Sequence, residues 1–438
     1  MLIQFSVRNY KTFLEKATLS LVASNYDKET RESENISNDN EFNLRLTKSA
    51  VIYGANASGK SKFIEALRFM IKFAISSSSD GQLIKSIDVE PFKLQVESEK
   101  DTSEFEIIFT HNNEMFRYGF ELTSDVIISE WLYYKPNTKE IELFYREKQK
   151  FKFHPRNFTK GATLKKENLI RENALLLSVA AQFNDKNCSK VLEWFNQMEI
   201  ISGLNERGYK NNSITKTKDP IQKKKILNLL KAADLSIENI TYSEFGMTFK
   251  TKEERKQFEE LKEKMKDYDS EAFSDIKTTH KRYDNNKKKV DEVTFSMQRD
   301  ESNGTQKFFY LTGTIIDVLE NGSVLIADEL DSKLHPNLVC KLISLFNSKE
   351  LNPKNAQIIF NTHDTNLLNS GLFRRDQIWF IEKDRYGASK LYSLSDFKSE
   401  VRKNDNFEDN YIHGKYGAIP FLNSFENLVQ SLNTKDEK

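Results

Sequence analysis

The sequence predicts an α/β fold with a mixed sheet, an antiparallel β lobe and an inserted helical region. Three observations predict it. The runs Val324–Ala327, Gln357–Phe360 and Ile378–Ile381 are apolar and separated by helical patterns, as the strands of a parallel sheet covered on both faces are. Residues 91 to 145 alternate apolar and polar, notably over Phe105–Phe109, Met115–Phe120 and Val126–Tyr134, which reads as antiparallel sheet. Helical periodicity dominates from Glu167 to Leu235.

Taken in order, Met1–Val7 alternates as a strand and Ala17–Val22 does so more weakly. Ser24–Asn43 is polar and reads as a surface loop. The short apolar run Ala50-Val51-Ile52-Tyr53 stops at Gly54, and Phe63, Ile64, Leu67, Met70 and Ile71 then recur at helical spacing. The segment from Gly54 to Ser61 therefore joins a buried strand to an amphipathic helix. The stretch Lys250–Lys289 carries both signs of charge, and Phe258, Leu261, Met265 and Tyr268 step through it like a short coiled-coil seam, predicting a helical hairpin or lid. The chain thus divides into 1–150 (the N-terminal part with the β lobe), 151–290 (an inserted helical or lid region) and 291–438 (the return of α/β character).

Composition narrows the function classes. The 438 residues hold 66 Lys+Arg and 65 Asp+Glu, a formal net charge of +1, which excludes a globally basic nucleic-acid coat or an acidic tail protein. Hydrophobic residues make up 38% and Phe alone numbers 32, enough to build a core. No apolar run reaches the roughly 18 residues a membrane span needs, and MLIQFSVRNYK has no basic-then-apolar leader. Cys188 and Cys340 stand alone, which argues against a disulfide framework or structural zinc and fits a reducing, cytoplasmic setting.

Gly54-Ala55-Asn56-Ala57-Ser58-Gly59-Lys60-Ser61 matches G-x-x-x-x-G-K-[ST] in its required strand-to-helix context. The glycines let backbone N–H groups turn inward toward phosphate oxygens, and the helix adds its positive end. Lys60 would reach the β- and γ-phosphates and the Ser61 hydroxyl would bind Mg²⁺. A second element, Val324-Leu325-Ile326-Ala327-Asp328-Glu329, is a strand that ends in two carboxylates. Asp328 would serve Mg²⁺ and Glu329 would polarise attacking water. A wide, β-rich and helical gap separates Lys60 from Asp328, unlike the close spacing of compact GTPases and small kinases. Glu301-Ser302-Asn303-Gly304-Thr305-Gln306 precedes a further helix, and Ser302 and Gly304 at its start make a second anion-binding surface. Asp331-Ser332-Lys333-Leu334-His335-Pro336 turns away from the acids, and the run Gln357–Phe360 leads through Asn361 and Thr362 to His363, placed to donate a hydrogen bond to a γ-phosphate.

With these residues in order, the chain resembles an SMC-like ABC ATPase, a P-loop NTPase of the ABC/SMC head type. More narrowly it resembles the bacterial "AAA family ATPase" group of phage-defence operons, of AbiL/Rlo type, related to the overcoming-lysogenization-defect and double-strand-break repair ATPases. GANASGKS, ESNGTQ, VLIADELDSKLHP and NTHDTNLL carry the resemblance, with RRDQIWFIEKD and GKYGAIPF in support. It implies ATP and Mg²⁺ as cofactors and ATP hydrolysis as the reaction. It also implies a homodimer, or a higher even oligomer, in which Ser302 and Gly304 of one copy face the γ-phosphate held by Lys60 of the other. His363 would be the switch histidine, Asp331 the coupling residue, Lys11 a basic residue near nucleotide and Gln95 the Q-loop glutamine at Mg²⁺. The usual L-S-G-G-Q reads Glu301-Ser302-Asn303-Gly304-Thr305 here, and long coiled coils are absent. The chain shows no effector chemistry of its own, so the resemblance implies a separate effector encoded nearby and no membrane partner. The alternative is a DNA-repair or chromosome-associated ATPase that binds DNA directly, with Lys223–Lys225 and Lys287–Lys289 as the basic candidates.

Overall fold

The computed structural model describes residues 1–80, 86–233, 235–244, 274–402 and 405–420, with isolated positions between 251 and 260. Its centre is a six-stranded sheet in the order β11-β15-β16-β5-β17-β18. β5 (Ser49–Tyr53) lies between β16 (Gln357–Asn361) and β17 (Ile378–Lys383), with β15 (Val324–Asp328) beyond β16. These pairings are parallel, and only β18 (Ser389–Ser393) runs antiparallel, against β17. The three predicted parallel strands and the strand before Gly54 thus share one sheet.

Strand periodicity explains why these runs are apolar throughout. Ala50 and Ile52 enter the core shared with the helix Lys60–Asp80, while Val51 and Tyr53 enter the core shared with the helices Asn303–Asn321 and Pro336–Asn347. In β15, Val324 and Ile326 face the first core and Leu325 and Ala327 the second. Neither face meets water, so neither alternates with polar residues.

The helix Lys60–Asp80 is covered on its far side by a seven-stranded antiparallel sheet, order β10-β9-β8-β7-β6-β1-β2. It is built from β1 (Leu2–Arg8), β2 (Ala17–Ser20), β6 (Ser103–His111), β7 (Glu114–Leu122), β8 (Ile127–Lys135), β9 (Ile141–Glu147) and β10 (Lys150–Phe153). Phe5 meets Phe63 edge-on at 5.4 Å, and Phe105 meets Phe69 at 5.1 Å. The fully buried rings of Phe5, Phe63 and Phe105 each contribute roughly 1.5–3 kcal/mol, so the helix is clamped between two sheets.

The polar segment after β2 is not wholly loop. It holds a two-stranded ribbon, β3 (Ile36–Asp39) with β4 (Leu44–Thr47).

The insertion departs from an all-helical reading in two places. β11 (Glu199–Ser202) pairs in parallel with β15 and becomes an edge strand of the central sheet. The segment 274–296 is not helical but an antiparallel hairpin, β13 (Ser274–Tyr283) and β14 (Lys289–Ser296), which joins β12 (Asn239–Glu244) in a three-stranded sheet. Ile276 and Thr278 point inward at period two, and Lys281 pairs across with Glu292 and Arg282 with Asp291, a pattern that suits a pleated surface. The seam at Phe258, Leu261, Met265 and Tyr268 lies outside the described residues.

The helices of the insertion are tied to the β lobe by a buried polar cluster. The helix Leu176–Gln182 starts at Leu175, which offers no capping side chain. Glu130 on β8 supplies the missing acceptor, taking the N–H groups of Leu176 (2.6 Å) and Leu177 (2.9 Å) and the Tyr118 hydroxyl (3.1 Å). Arg146 on β9 lies 3.6 Å from Glu130 and donates to the carbonyls of Ala174 and Arg171. Both side chains are fully buried. Burial pushes the Glu130 carboxyl up, and Arg146 opposes the rise. Glu130→Ala leaves Arg146 buried without its counter-charge and the helix without its cap, so a stability loss of about 3–5 kcal/mol is expected in urea unfolding. A loss under about 1 kcal/mol would contradict the cluster's role.

Candidate active site

The loop from Gly54 to Ser61 leaves the end of β5 and enters the helix Lys60–Asp80. Its glycines are fixed by close approach. A methyl group at Gly54 would lie 2.4 Å from the Ile381 carbonyl oxygen. Gly59 has φ of +115°, and a Cβ there would meet Thr12 Oγ1 at 2.7 Å and Ser389 Oγ at 2.8 Å. The Ser389 hydroxyl donates to the Ser58 carbonyl at 2.6 Å, so β18 and the turn after β1 hold the loop from outside. Asn56 and Ala57 form its exposed crown, while Ser58 is buried and its hydroxyl oxygen has no hydrogen-bond partner among the described residues. Lys60 is buried and donates to the carbonyls of Gly54 (2.8 Å) and Ala55 (3.1 Å). Burial lowers its ammonium to about 8, against the opposing pull of Glu329, Asp328 and Asp331.

The carboxylates converge on this loop from β15. Asp328 Oδ1 accepts from the Ser61 hydroxyl at 2.8 Å and from Asn361 Nδ2 at 2.5 Å. The other end of the Asn361 amide accepts the Glu329 N–H, so this one side chain, fully buried at the end of β16, orients both acids. Glu329 has φ of +56°, a conformation costly for a residue with a side chain unless its surroundings hold it. Gly203, just after β11, is part of that hold. Its N–H donates to the Asp328 carbonyl at 2.6 Å, and a Cβ on it would lie 1.8 Å from the Glu329 carbonyl oxygen. Asp331 Oδ2 accepts the His363 N–H at 3.4 Å, while its Oδ1 is buried with no partner among the described residues. His363 is exposed, and partial desolvation followed by the charge of Lys60 holds its imidazole below the ordinary range.

Lys307 on the helix Asn303–Asn321 is fully buried and donates to the carbonyls of Leu330 (3.2 Å) and Ser332, fixing the turn that carries Asp331. Burial lowers it to about 8. Neither Asn361, Gly203 nor Lys307 was singled out by sequence. The only signals available were an Asn directly after the apolar run of β16, and a Lys on an otherwise apolar helix face.

Other expected residues stand apart. Ser302 caps its helix, with its oxygen taking the Thr305 N–H at 3.1 Å, and it is exposed. Gly304 approaches the Lys333 carbonyl, 3.0 Å from where a Cβ would sit. The hydrogen bonds of Ser302 stay within its own turn and do not reach the loop at Lys60. Gln95 lies on an exposed bend, not on a strand, with its carbonyl taking the Ser98 hydroxyl, and no hydrogen bond joins it to Ser61 or Asp328. Lys11 is held by Glu65 (2.6 Å) and Glu90 (3.3 Å), so it braces the helix Lys60–Asp80.

Chemically, the start of the helix Lys60–Asp80 and the Lys60 ammonium offer positive charge to an anion, and Ser61 with Asp328 offers a hydroxyl and a carboxylate to a hard cation. That donor set fits Mg²⁺, which keeps several waters and needs only one or two protein oxygens. The strained Glu329 depends on Gly203. Gly203→Ala is therefore expected to lower stability by about 1–3 kcal/mol in chemical unfolding, and an unchanged midpoint would contradict that packing.

The family described as "AAA domain, putative AbiEii toxin, Type IV TA system" matches residues 49–369. Among solved structures, the SMC head domain from Thermotoga maritima aligns at 13% identity and a TM-score of 0.38, over 90% of this chain and 98% of that one. An Smc head with an extended coiled coil from Pyrococcus furiosus, bound to the C-terminal domain of ScpA, aligns at 12% and 0.32, over 91% and 97%. An ATP-binding cassette in a dimeric post-hydrolysis state with ADP and Pi aligns at 12% and 0.27, over 89% and 98%. No curated protein matches the chain. The family match begins with β5, runs past His363 and takes in every residue of the loop and of the two acidic and histidine-bearing strand ends; the chain belongs to this family of P-loop ATPases.

Proposed function

We propose that the protein binds and hydrolyses ATP with Mg²⁺ as a dimeric switch, a homodimer or a higher even oligomer, in antiphage defence of the abortive-infection type, where it controls a separate effector encoded nearby. The finer placement with the AbiL/Rlo-type ATPases and the division at residues 150 and 290 belong to the same proposal. The observation that carries it is the hydrogen-bonded set Ser61, Asp328, Asn361 and Glu329 closed around the loop that holds Lys60. In this reading Lys60 and the loop amides bind the triphosphate, and Ser61 and Asp328 hold the metal, which neutralises phosphate charge when bound. Glu329 accepts a proton from the attacking water. His363 senses the γ-phosphate, and Asp331 couples the two pockets.

Exposure of Ser302 at a helix start supports a pocket completed by a second copy, because among the described residues its hydrogen bonds stay in its own turn and none reaches the loop that holds Lys60. The family's description names a toxin of a type IV toxin–antitoxin system, which supports a role in defence. The geometry favours the alternative DNA reading less. Lys225 is paired with Glu320 and Lys289 with Glu292, so the two lysine triplets are partly neutralised. Among the described residues no helix is long and apolar enough to cross a membrane.

Glu329→Gln should bind ATP yet hydrolyse it about 10²–10⁴-fold more slowly, and should double its mass in light scattering when ATP and Mg²⁺ are added. Lys60→Ala should neither bind nor dimerise. Wild-type turnover in Glu329→Gln, or a mass indifferent to ATP, would contradict the proposal.

A further inference from the structure

The inserted three-stranded sheet touches the signature turn, the segment Glu301–Thr305, through a contact that none of the roles above uses. Glu301 directly precedes Ser302, the residue that caps the helix Asn303–Asn321. Its carboxylate oxygen Oε1 accepts from Thr278 Oγ1 at 2.5 Å and meets His280 Nε2 at 2.7 Å. Both partners sit on β13. Thr278 is fully buried, the His280 ring packs edge-on against Phe295 of β14 at 5.2 Å, and only 18% of His280 and 12% of Glu301 side-chain area is exposed. The Glu301 carbonyl is held separately by Gln306 Nε2 at 2.9 Å.

The chain leading into the turn is fastened to the same sheet. The Met297 N–H donates to the Ile276 carbonyl at 2.7 Å, and the Ser296 N–H donates to Asp300 Oδ2 at 2.7 Å. The sheet therefore grips the residues before the turn at several points, whereas Ser302 and Asn303 face outward. A carboxylate that accepts two hydrogen bonds away from water sits in a narrow range of positions. Glu301 directly precedes Ser302 in the chain, so a shift of β13 would be felt at Ser302.

We propose that His280 and Thr278 are positioning residues of the inserted sheet which, by holding Glu301, set where Ser302 and Gly304 stand for the opposing copy's nucleotide. The inserted sheet is then the lever by which the insertion regulates turnover. This rests on the reading that the turn completes a neighbour's pocket, so the test includes a readout that needs no catalysis.

His280→Ala, Thr278→Val and the conservative His280→Gln, whose amide can still donate, are compared with wild type. The first measurement is amide hydrogen exchange of the nucleotide-free protein over residues 302–306. His280→Ala and Thr278→Val are expected to speed exchange of the Thr305 and Gln306 amides about tenfold or more, with β15 unchanged and His280→Gln close to wild type. The second is steady-state ATP hydrolysis together with binding of a fluorescent ATP analogue. The same two variants are expected to lower kcat at least about tenfold while KM and analogue affinity stay within about twofold, and His280→Gln is expected to recover most of kcat. Unchanged exchange at the turn in both variants would overturn the proposal, as would a loss that His280→Gln shares or that falls on analogue affinity. A wild type without Lys60-dependent hydrolysis would sink the underlying reading instead, and the exchange result would still decide whether the sheet holds the turn.

Discussion

The parallel ladder that joins β15, β16 and β5 is the constraint on which the site depends. Ala327 pairs with Phe360, and Asn361 pairs with Ile52. This register aligns the carboxyl ends of three strands in one row, which is where open α/β sheets present their ligand-binding groups. Asp328, Asn361 and Gly54 become neighbours although long stretches of chain separate them. A slip of one residue in any of these strands would turn its side chains from one core to the other, and two close-packed cores forbid it.

Within that frame, the chemistry is held by side chains that act on one another. Asn361 orients Asp328 and the backbone of Glu329, and Asp328 in turn holds the Ser61 hydroxyl. Lys307 fixes the turn after the acids from the helix that Ser302 caps. The insertion reaches the same region from two sides. Gly203 supports Glu329, Glu206 pairs with Lys333 at 2.8 Å, and His280 and Thr278 hold Glu301. The inserted segment therefore touches both the turn after the acidic end of β15 and the turn that opens the helix Asn303–Asn321.

Much of this was legible in the sequence, because the determining pattern was local. The phosphate-binding loop needs two glycines and a lysine in one short span between a strand and a helix, and the acidic strand end needs an apolar run before it. What escaped was whatever depends on a distant partner. β11 has four residues and lies inside a helical stretch, and only its ladder to β15 makes it a strand. Lys307 sits among Phe308, Phe309 and Leu311, and only the carbonyls of Leu330 and Ser332 explain a buried ammonium there. The mixed charge of Lys250–Lys289 suggested a helical hairpin or lid, but from Ser274 onward the chain forms the strands β13 and β14. Its pairing is instead cross-strand, Lys281 against Glu292 and Arg282 against Asp291, and the inward residues Ile276 and Thr278 alternate at period two. Gln95 was implied by the resemblance alone, and it lies on an exposed bend.

The proposed function makes each pocket the joint product of two chains, and mixing subunits tests this most directly. One variant carries Lys60→Ala, which disables its own loop. The other carries Ser302→Arg, which disables the turn offered to a neighbour. Each alone should be inactive in ATP hydrolysis. Mixed, they should recover activity, because a mixed dimer pairs the intact loop of the second with the intact turn of the first. Activity in the mixture no greater than in the separate variants would contradict the composite pocket.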